Sequence, residues 1–213
     1  MPDTTPPTIA ISSSSSSLRS SQTAIITITL SEPATDFVLS DITVSGGKLS
    51  SFLGAGSNYS ALFTPSVNFE GTAIINVSDN KFSDSAGNFN TDGADADNRI
   101  NISVDTLKPY IFSGANVKSI QLGMSQTIQY QLNEASSEFA INDISIVGGS
   151  LSNFSSTTSS IYLVSVTPTS TQTSIVSLNV LNGSYRDAAG NYNEERTDSL
   201  RVLTVINSEI IGT

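Results

Sequence analysis

The sequence predicts an all-β protein made of two tandem copies of one domain. Three observations lead to this prediction: an internal repeat that spans nearly the whole chain, apolar residues that recur at every second position, and turn residues between the alternating segments. Of the 213 residues, 38% are hydrophobic and 13% are charged. Much of the remainder is Ser, Thr and Asn, which compete with helical hydrogen bonds and so disfavour helices.

The repeat relates residues 3–104 to residues 105–207, and residues 208–213 form a tail or the start of another segment. The first part of the alignment has a constant offset of 102 residues (105 − 3), and one inserted residue in copy 2 raises the offset to 103. The clearest matches pair residues 30–32 with 132–134, 37–41 with 139–143, and 84–88 with 187–191. The boundary falls at Val104/Asp105 without a linker.

Within each copy the apolar residues alternate with polar ones, as in Ile26, Ile28 and Leu30. Alternate side chains of a strand share one face, so this period predicts strands with one buried face. About seven short strands per copy, separated by turns such as Gly46-Gly47, predict an immunoglobulin-like β-sandwich in each copy. The serine run Ser12–Ser17 is predicted to be a polar loop after the first strand.

The composition excludes several classes of function. With no Cys and no His, the chain lacks disulfides, thiol nucleophiles and His-based triads. The net charge is −10 and the nine Lys and Arg are scattered, so no basic footprint for nucleic acid exists. No apolar run approaches the ~20 residues of a membrane span, so membrane insertion is not predicted. The chain is predicted not to be an enzyme. Met1 is interpreted as an added start codon on a fragment of a longer secreted protein.

Acidic residues gather at one end of each predicted sandwich. Strand direction places there the entrance of the first strand, the end of the second strand and the loop before the last strand. The set is Asp3, Glu32, Asp41, Asp84 and Asn88 in copy 1, and Asp105, Glu134, Asp143, Asp187 and Asn191 in copy 2. Oxygen donors without His or Cys favour calcium, which takes about six to eight oxygen ligands. We expect an ion foremost at the copy 2 set, where it would stiffen the joint.

Each of these residues taken singly also fits a structural role. Asp84 and Asp187 head Gly-Asn turns and fit Asx turns, and Asp105 fits a turn cap; the repetition of the whole set favours an ion. Copy 1 also contains an extra stretch, Asp92–Asn98, whose Asp spacing resembles a calcium loop without the bidentate Glu of an EF-hand. This stretch is interpreted as a flexible, solvated loop. Its best candidate ligand is Asp97, which leads directly into the last strand.

Several motifs make the chain resemble the bacterial Ig-like repeats of large surface adhesins, of the biofilm-associated-protein and giant repeats-in-toxin types. They are DTTPPT at residues 3–8, SEP at 31–33, SDITVSGG at 40–47 and DSAGN at 84–88. The resemblance covers nearly the whole chain, and copy 2 departs from it with Ala135 where copy 1 has Pro33. It implies a stalk on the bacterial cell surface whose junction acidic residues bind calcium, with Asp105, Glu134, Asp143 and Asp187 as ligands and, by repeat, Asp3, Glu32, Asp41 and Asp84.

The resulting prediction is an extracellular, monomeric spacer of a bacterial adhesin whose partners are the neighbouring modules of the same chain. Two alternatives stay open. One is a ligand- or carbohydrate-binding module, for which Tyr185 and Tyr192 are the aromatic candidates outside core-like positions. The other is an auxiliary Ig-like module of a secreted enzyme or a virion protein, which only the parent sequence would distinguish.

Overall fold

The computed structural model describes residues 2–113, 117–169, 175–196 and 200–206. The chain divides into two compact units, Met1–Leu107 and Lys108–Thr213, which are called domain 1 and domain 2. The buried hydroxyl of Thr106 donates to the carbonyl of Ser66 at 2.7 Å and accepts from the N–H of Phe69 at 2.9 Å. These bonds hold the chain to domain 1 for one residue beyond its last strand.

Domain 1 is a sandwich of two sheets. Its strands are β1 (Ile9–Ser13), β2 (Ser17–Arg19), β3 (Ala24–Ala34), β4 (Ile42–Ser45), β5 (Gly47–Pro65), β6 (Glu70–Val77) and β7 (Arg99–Asp105), with 3-10 turns at Leu39–Asp41 and Ala96–Asn98. One sheet has the order β1-β3-β5 and the other β2-β7-β6-β4. Neighbouring strands are antiparallel except β2 and β7, which are parallel.

Two details of domain 1 refine what the sequence indicates. The serine run does not form one loop: Ser14–Ser16 separate β1 from β2, where the chain crosses from one sheet to the other, and the remaining serines belong to these strands. The strand β5 reverses within its own length. Gly54 and Gly56 have φ of +134° and +65° at the reversal, and the Ser50 hydroxyl donates to the carbonyl of Leu62 at 3.4 Å.

Domain 2 repeats this architecture with β5 replaced by two strands. Its strands are β8 (Ile111–Ser113), β9 (Ser119–Gln121), β10 (Gln126–Leu132), β11 (Ile144–Val147), β12 (Gly149–Thr158), β13 (Ile161–Pro168), β14 (Ile175–Val180) and β15 (Leu200–Ile206), with a 3-10 turn at Ile141–Asp143. The sheets have the orders β8-β10-β13-β12 and β9-β15-β14-β11. The parallel pair recurs as β9 and β15. The all-β prediction with two sandwiches is confirmed.

The period of two in the sequence corresponds to burial. Along β3, Ile26, Ile28 and Leu30 are buried, whereas the residues between them are exposed. Each core also contains an edge-to-face aromatic trio centred on one Phe, against which further rings pack. Phe37 lies 5.1 Å from Tyr59 and 5.2 Å from Phe82 between ring centroids.

In domain 2 the corresponding rings are Phe139, Tyr162 and Tyr185, and Phe139 lies 5.0 Å from each of the other two. In each domain the trio connects the turn after β3 or β10 to the loop that precedes the last strand and carries Asp84 or Asp187.

Within the described residues, no helix has the length and apolar character needed to cross a membrane.

Candidate metal centre

Three carboxylates of domain 1 come together at one end of the sandwich. One oxygen from each of Asp3, Glu32 and Asp84 lies within 4.8 Å of the other two. Asp3 precedes β1, Glu32 lies near the end of β3, and Asp84 lies in the loop between β6 and β7. An isolated antiparallel bridge between Ala34 and Asp84 brings that loop to the end of β3. We call these three residues the acidic cluster.

Asp84 is the buried member of the acidic cluster, with 4% of its surface exposed. Its Oδ1 accepts hydrogen bonds from the N–H groups of Ala86 and Asn88, each at 2.8 Å, and its Oδ2 accepts from Asn88 Nδ2 at 2.7 Å. Burial by itself raises the pKa of Asp84, but the hydrogen bonds from Asn88, Ala86 and Gly87 outweigh it and lower that pKa below its ordinary value. The carboxylate of Asp84 is therefore held in its ionised form.

Asn88 also connects the loop to the start of the domain. Its Nδ2 lies 3.3 Å from the carbonyl oxygen of Asp3, to which it donates. The side chain of Asp3 in turn accepts a hydrogen bond from the N–H of Thr5 at 2.9 Å. Asn88 thus positions both the exposed member of the acidic cluster, Asp3, and the buried member, Asp84.

Glu32 is half-buried between two other acidic groups. Its pKa is raised, first by burial and then by the negative charges of Asp3 and Asp84. A cation at the cluster would relieve this repulsion. The donor set consists of carboxylate oxygens, and Asp3 lies on the exposed side, where water could complete a coordination shell. These residues fit a hard, oxygen-seeking cation such as calcium.

Copy 2 repeats part of the local structure of the set. Asn191 donates to Asp187 Oδ1 through its N–H and to Asp187 Oδ2 through Nδ2, both at 2.9 Å. Asp105 accepts from the N–H of Leu107 at 3.1 Å, as Asp3 does from Thr5. Glu134 is half-buried in the loop after β10. Asp105 belongs to domain 1, whereas the other residues of the copy 2 set belong to domain 2. The ion expected at the copy 2 set therefore stays a prediction.

Comparison with protein families shows what kind of domain carries these residues. Residues 3–104 and residues 105–204 each match the family model described as a bacterial Ig-like domain. The chain belongs to this family. The two Ig-like domains together account for nearly all of the described residues.

One solved structure shares the fold of this tandem at low sequence identity. The Escherichia coli adhesin FdeC aligns with a TM-score of 0.51 at 12% identity, over 93% of this chain and 64% of that chain. Invasin, a bacterial integrin-binding protein, aligns at 0.42 and 12% over 93% and 40%, and Yersinia pseudotuberculosis InvD at 0.37 and 15% over 96% and 60%. This tandem thus spans less than two thirds of the length of each. The comparison with curated proteins gave no match.

Asp41 and Asp143, two further residues of the predicted sets, each accept a hydrogen bond from the turn in which they lie. Asp41 Oδ2 accepts a hydrogen bond from the N–H of Val38, and Asp143 Oδ2 accepts one from the N–H of Ala140, both at 2.8 Å. Each carboxylate thereby caps the 3-10 turn that it ends. Burial is the main cause of the raised pKa of Asp143. The acidic cluster of domain 1 does not include Asp41.

The stretch Asp92–Asn98 is held against domain 1, which differs from the freely solvated loop that the sequence suggests. Asp92 Oδ2 accepts a hydrogen bond from the N–H of Ile9 at 2.7 Å, and the N–H of Gly93 donates to Asp79 Oδ1 at 2.6 Å. A Cβ on Gly93 would lie 2.3 Å from the backbone nitrogen of Asp79, so only glycine fits. Asp97 lies in the 3-10 turn of this stretch, is exposed, and is not a member of the acidic cluster.

Two buried asparagines that support the site were missed at the sequence level. Asn90 is 0% exposed; its Oδ1 accepts from the N–H of Lys81 at 2.7 Å, and its Nδ2 donates to the carbonyl of Ser78 at 3.0 Å. In domain 2, Asn193 Oδ1 accepts from the N–H of Tyr185 at 3.0 Å, as Asn90 Oδ1 also does from the N–H of Phe82 at 3.3 Å. Its Nδ2 donates to the carbonyl of Leu181 at 2.9 Å. The repeated Gly-Asn-aromatic-Asn pattern at residues 87–90 and 190–193 was the available signal.

The aromatic candidates for a sugar platform differ from each other in exposure. Tyr185 is 1% exposed and belongs to the core trio, so its selection as an exposed ring is wrong. Tyr192 is 50% exposed, and the guanidinium carbon of Arg186 lies 4.2 Å from its ring centroid. Phe89, the repeat counterpart of Tyr192, is exposed to a similar extent.

Proposed function

We propose that this chain is a spacer tandem in the extracellular stalk of a bacterial surface adhesin, and that calcium at the acidic ends of its modules makes the stalk rigid. The observation that carries the proposal is the acidic cluster of Asp3, Glu32 and Asp84 at the entrance of an Ig-like domain. Two domains of the bacterial Ig-like family that follow each other without a linker support the spacer role.

The position of the cluster indicates how an ion would act. Asp3 belongs to the segment that enters domain 1, whereas Glu32 and Asp84 belong to the sandwich itself. An ion bound to all three residues would fix the entering chain to the domain. Asp105 has the place of Asp3 in copy 2 and is also the last residue of β7, where it pairs with Glu70 and Arg19. An ion bound by Asp105, Glu134 and Asp187 would therefore restrain the joint directly.

The chemistry of the residues favours calcium over magnesium. Magnesium requires near-ideal octahedral geometry and gives up its water reluctantly, whereas calcium accepts irregular sets of carboxylates, carbonyls and water. The acidic cluster has one buried carboxylate held by three hydrogen-bonding groups and one exposed carboxylate beside solvent. Such an uneven set suits the more adaptable ion.

Calorimetry on the EDTA-treated full chain tests the metal site. We expect calcium to bind, magnesium to bind more weakly, and Asp84→Asn to weaken the domain 1 site by about tenfold or more. Asn88→Ala should weaken it as well, because Asn88 orients Asp84 and Asp3. Asp97→Asn is the matched control, since it removes one exposed carboxylate of the same domain outside the cluster. Unchanged calcium binding in Asp84→Asn would exclude the cluster as the site.

Small-angle scattering tests the effect on the joint. We expect the full chain to be stiffer with calcium than with EDTA, and the difference to disappear in a chain that carries Asp105→Asn and Glu134→Gln. Glu32→Gln, in the corresponding cluster of domain 1, should leave the difference in place. If the maximum dimension and the flexibility do not respond to calcium at all, calcium does not stiffen this tandem.

A ligand-binding module is the second candidate function. The exposed rings of Phe89 and Tyr192 occupy the same repeat position next to the acidic ends of the domains, and aromatic faces are suited to stacking on sugars. A glycan array that gives no signal for the full chain would exclude a carbohydrate ligand. Glycan binding that is lost in Tyr192→Ala and kept in the chain that carries Asp105→Asn and Glu134→Gln would support a carbohydrate ligand.

A further inference from the structure

A fully buried amide lies at the start of β7. Asn98 ends the 3-10 turn Ala96–Asn98, which packs against β1, and its side chain is 0% exposed. Its backbone N–H donates to the carbonyl of Asp95 at 3.3 Å. Neither Oδ1 nor Nδ2 of the side chain has a hydrogen-bond partner among the residues that the structure describes.

Such an amide requires partners, because buried polar groups in proteins are nearly always hydrogen-bonded to the protein or to ordered water. A 180° rotation of the amide exchanges its oxygen and nitrogen, and so it leaves both positions in need of a partner. A cation would satisfy the oxygen and face the N–H groups unfavourably, and an anion would do the reverse. Water both donates and accepts hydrogen bonds, and it can therefore satisfy both atoms.

We propose that Asn98 binds an internal water molecule between the turn Ala96–Asn98 and β1. This water helps to hold the stretch Asp92–Asn98 against β1, in addition to the hydrogen bond that Asp92 accepts from the N–H of Ile9. Asn90 provides the contrast within the same domain. It is equally buried, but its Oδ1 and Nδ2 already have protein partners in Lys81 and Ser78.

Water-selective NMR on the ¹⁵N-labelled full chain tests the proposal. We expect cross-relaxation between a long-lived water and the Nδ2 hydrogens of Asn98, with opposite signs in the NOE and ROE experiments. The Nδ2 hydrogens of Asn90 should show no such transfer. Asn98→Leu assigns the signal, because its side-chain amide peak and the water transfer should disappear together. If that variant does not fold, triple-resonance assignment of the unmodified chain serves the same purpose.

Two results would overturn the proposal. One is an Asn98 amide that resembles Asn90 and shows no transfer from water. The other is transfer of equal sign in both experiments, which indicates exchange with bulk solvent and hence an amide that is not buried. A crystal structure of the full chain gives an independent readout. We expect density for a water within about 2.7–3.2 Å of both Asn98 Oδ1 and Nδ2, and a protein group in that place would contradict the inference.

Discussion

Replacing Asn90 with alanine tests whether this buried amide holds the loop that carries Asp84. The substitution removes an acceptor for the N–H of Lys81 at 2.7 Å and a donor to the carbonyl of Ser78 at 3.0 Å. A buried group that loses its partner costs about 1–3 kcal/mol. Since the bonds lie in a partly buried loop that water can reach after truncation, we expect a total loss of about 2–4 kcal/mol.

The loss should be visible as a lower melting temperature of domain 1. For a domain of about 100 residues, 1 kcal/mol corresponds to about 4–8 °C, so we expect a decrease of about 8 °C or more in calorimetry of the full chain. Asn58→Ala is the matched control, because Asn58 is exposed and its side-chain amide donates to the neighbouring Ser57. If the free energy of unfolding of Asn90→Ala lies within about 0.5 kcal/mol of that of the unmodified chain, as is usual for surface substitutions, the reasoning is refuted.

Three further predictions concern the cluster, the anchored stretch and the core. Without calcium, the pKa of Glu32 is raised, so its contribution to the free energy of unfolding is present below its ordinary pKa of 4.5 and is lost as the pH rises through the higher folded value. Glu32→Gln should remove that decline in urea unfolding measured as a function of pH. An unchanged pH profile of the variant would contradict this prediction. Gly93→Ala should lower the free energy of unfolding by about 1–3 kcal/mol because its Cβ would meet the backbone of Asp79 at 2.3 Å. In the control Gly87→Ala the Cβ meets nothing within 4 Å, so the loss should be only about 1 kcal/mol from the φ of +89°. Equal melting temperatures of the two variants would exclude the clash. Phe139→Ala should destabilise domain 2 by about 3–5 kcal/mol because the ring packs on Tyr162 and Tyr185, and a loss below about 1 kcal/mol in urea unfolding would show that the trio does not support this core.

The sandwich and its repeat were predictable because their signals are local. A period of two is a property of neighbouring residues, and burial along β3 follows it at Ile26, Ile28 and Leu30. The repeat offset likewise depends on the order of residues alone. The reversal inside β5 was harder to predict, since it depends on two glycines with positive φ in a segment that otherwise continues as a strand.

The membership of the acidic cluster could be predicted in part. Strand direction brought Asp3, Glu32 and Asp84 to one end, and the structure places their oxygens within 4.8 Å. Asp41 was assigned to the same end, but its carboxylate caps its own turn through the N–H of Val38. Sequence reasoning places residues at one end of a fold and does not give side-chain direction, so it does not show which of these carboxylates meet.

By itself the sequence determined the all-β class, the two copies of an Ig-like domain and an oxygen-only set of possible ligands, because each follows from residue type and spacing along the chain. The tertiary structure alone decided which carboxylates meet. It also decided that Asn90 and Asn193 form hydrogen bonds within their own loops, and that the Asp-rich stretch is hydrogen-bonded to Ile9 and Asp79. These contacts join residues that are up to 83 positions apart. Their existence depends on how strands and loops pack, which no pattern of neighbouring residues specifies.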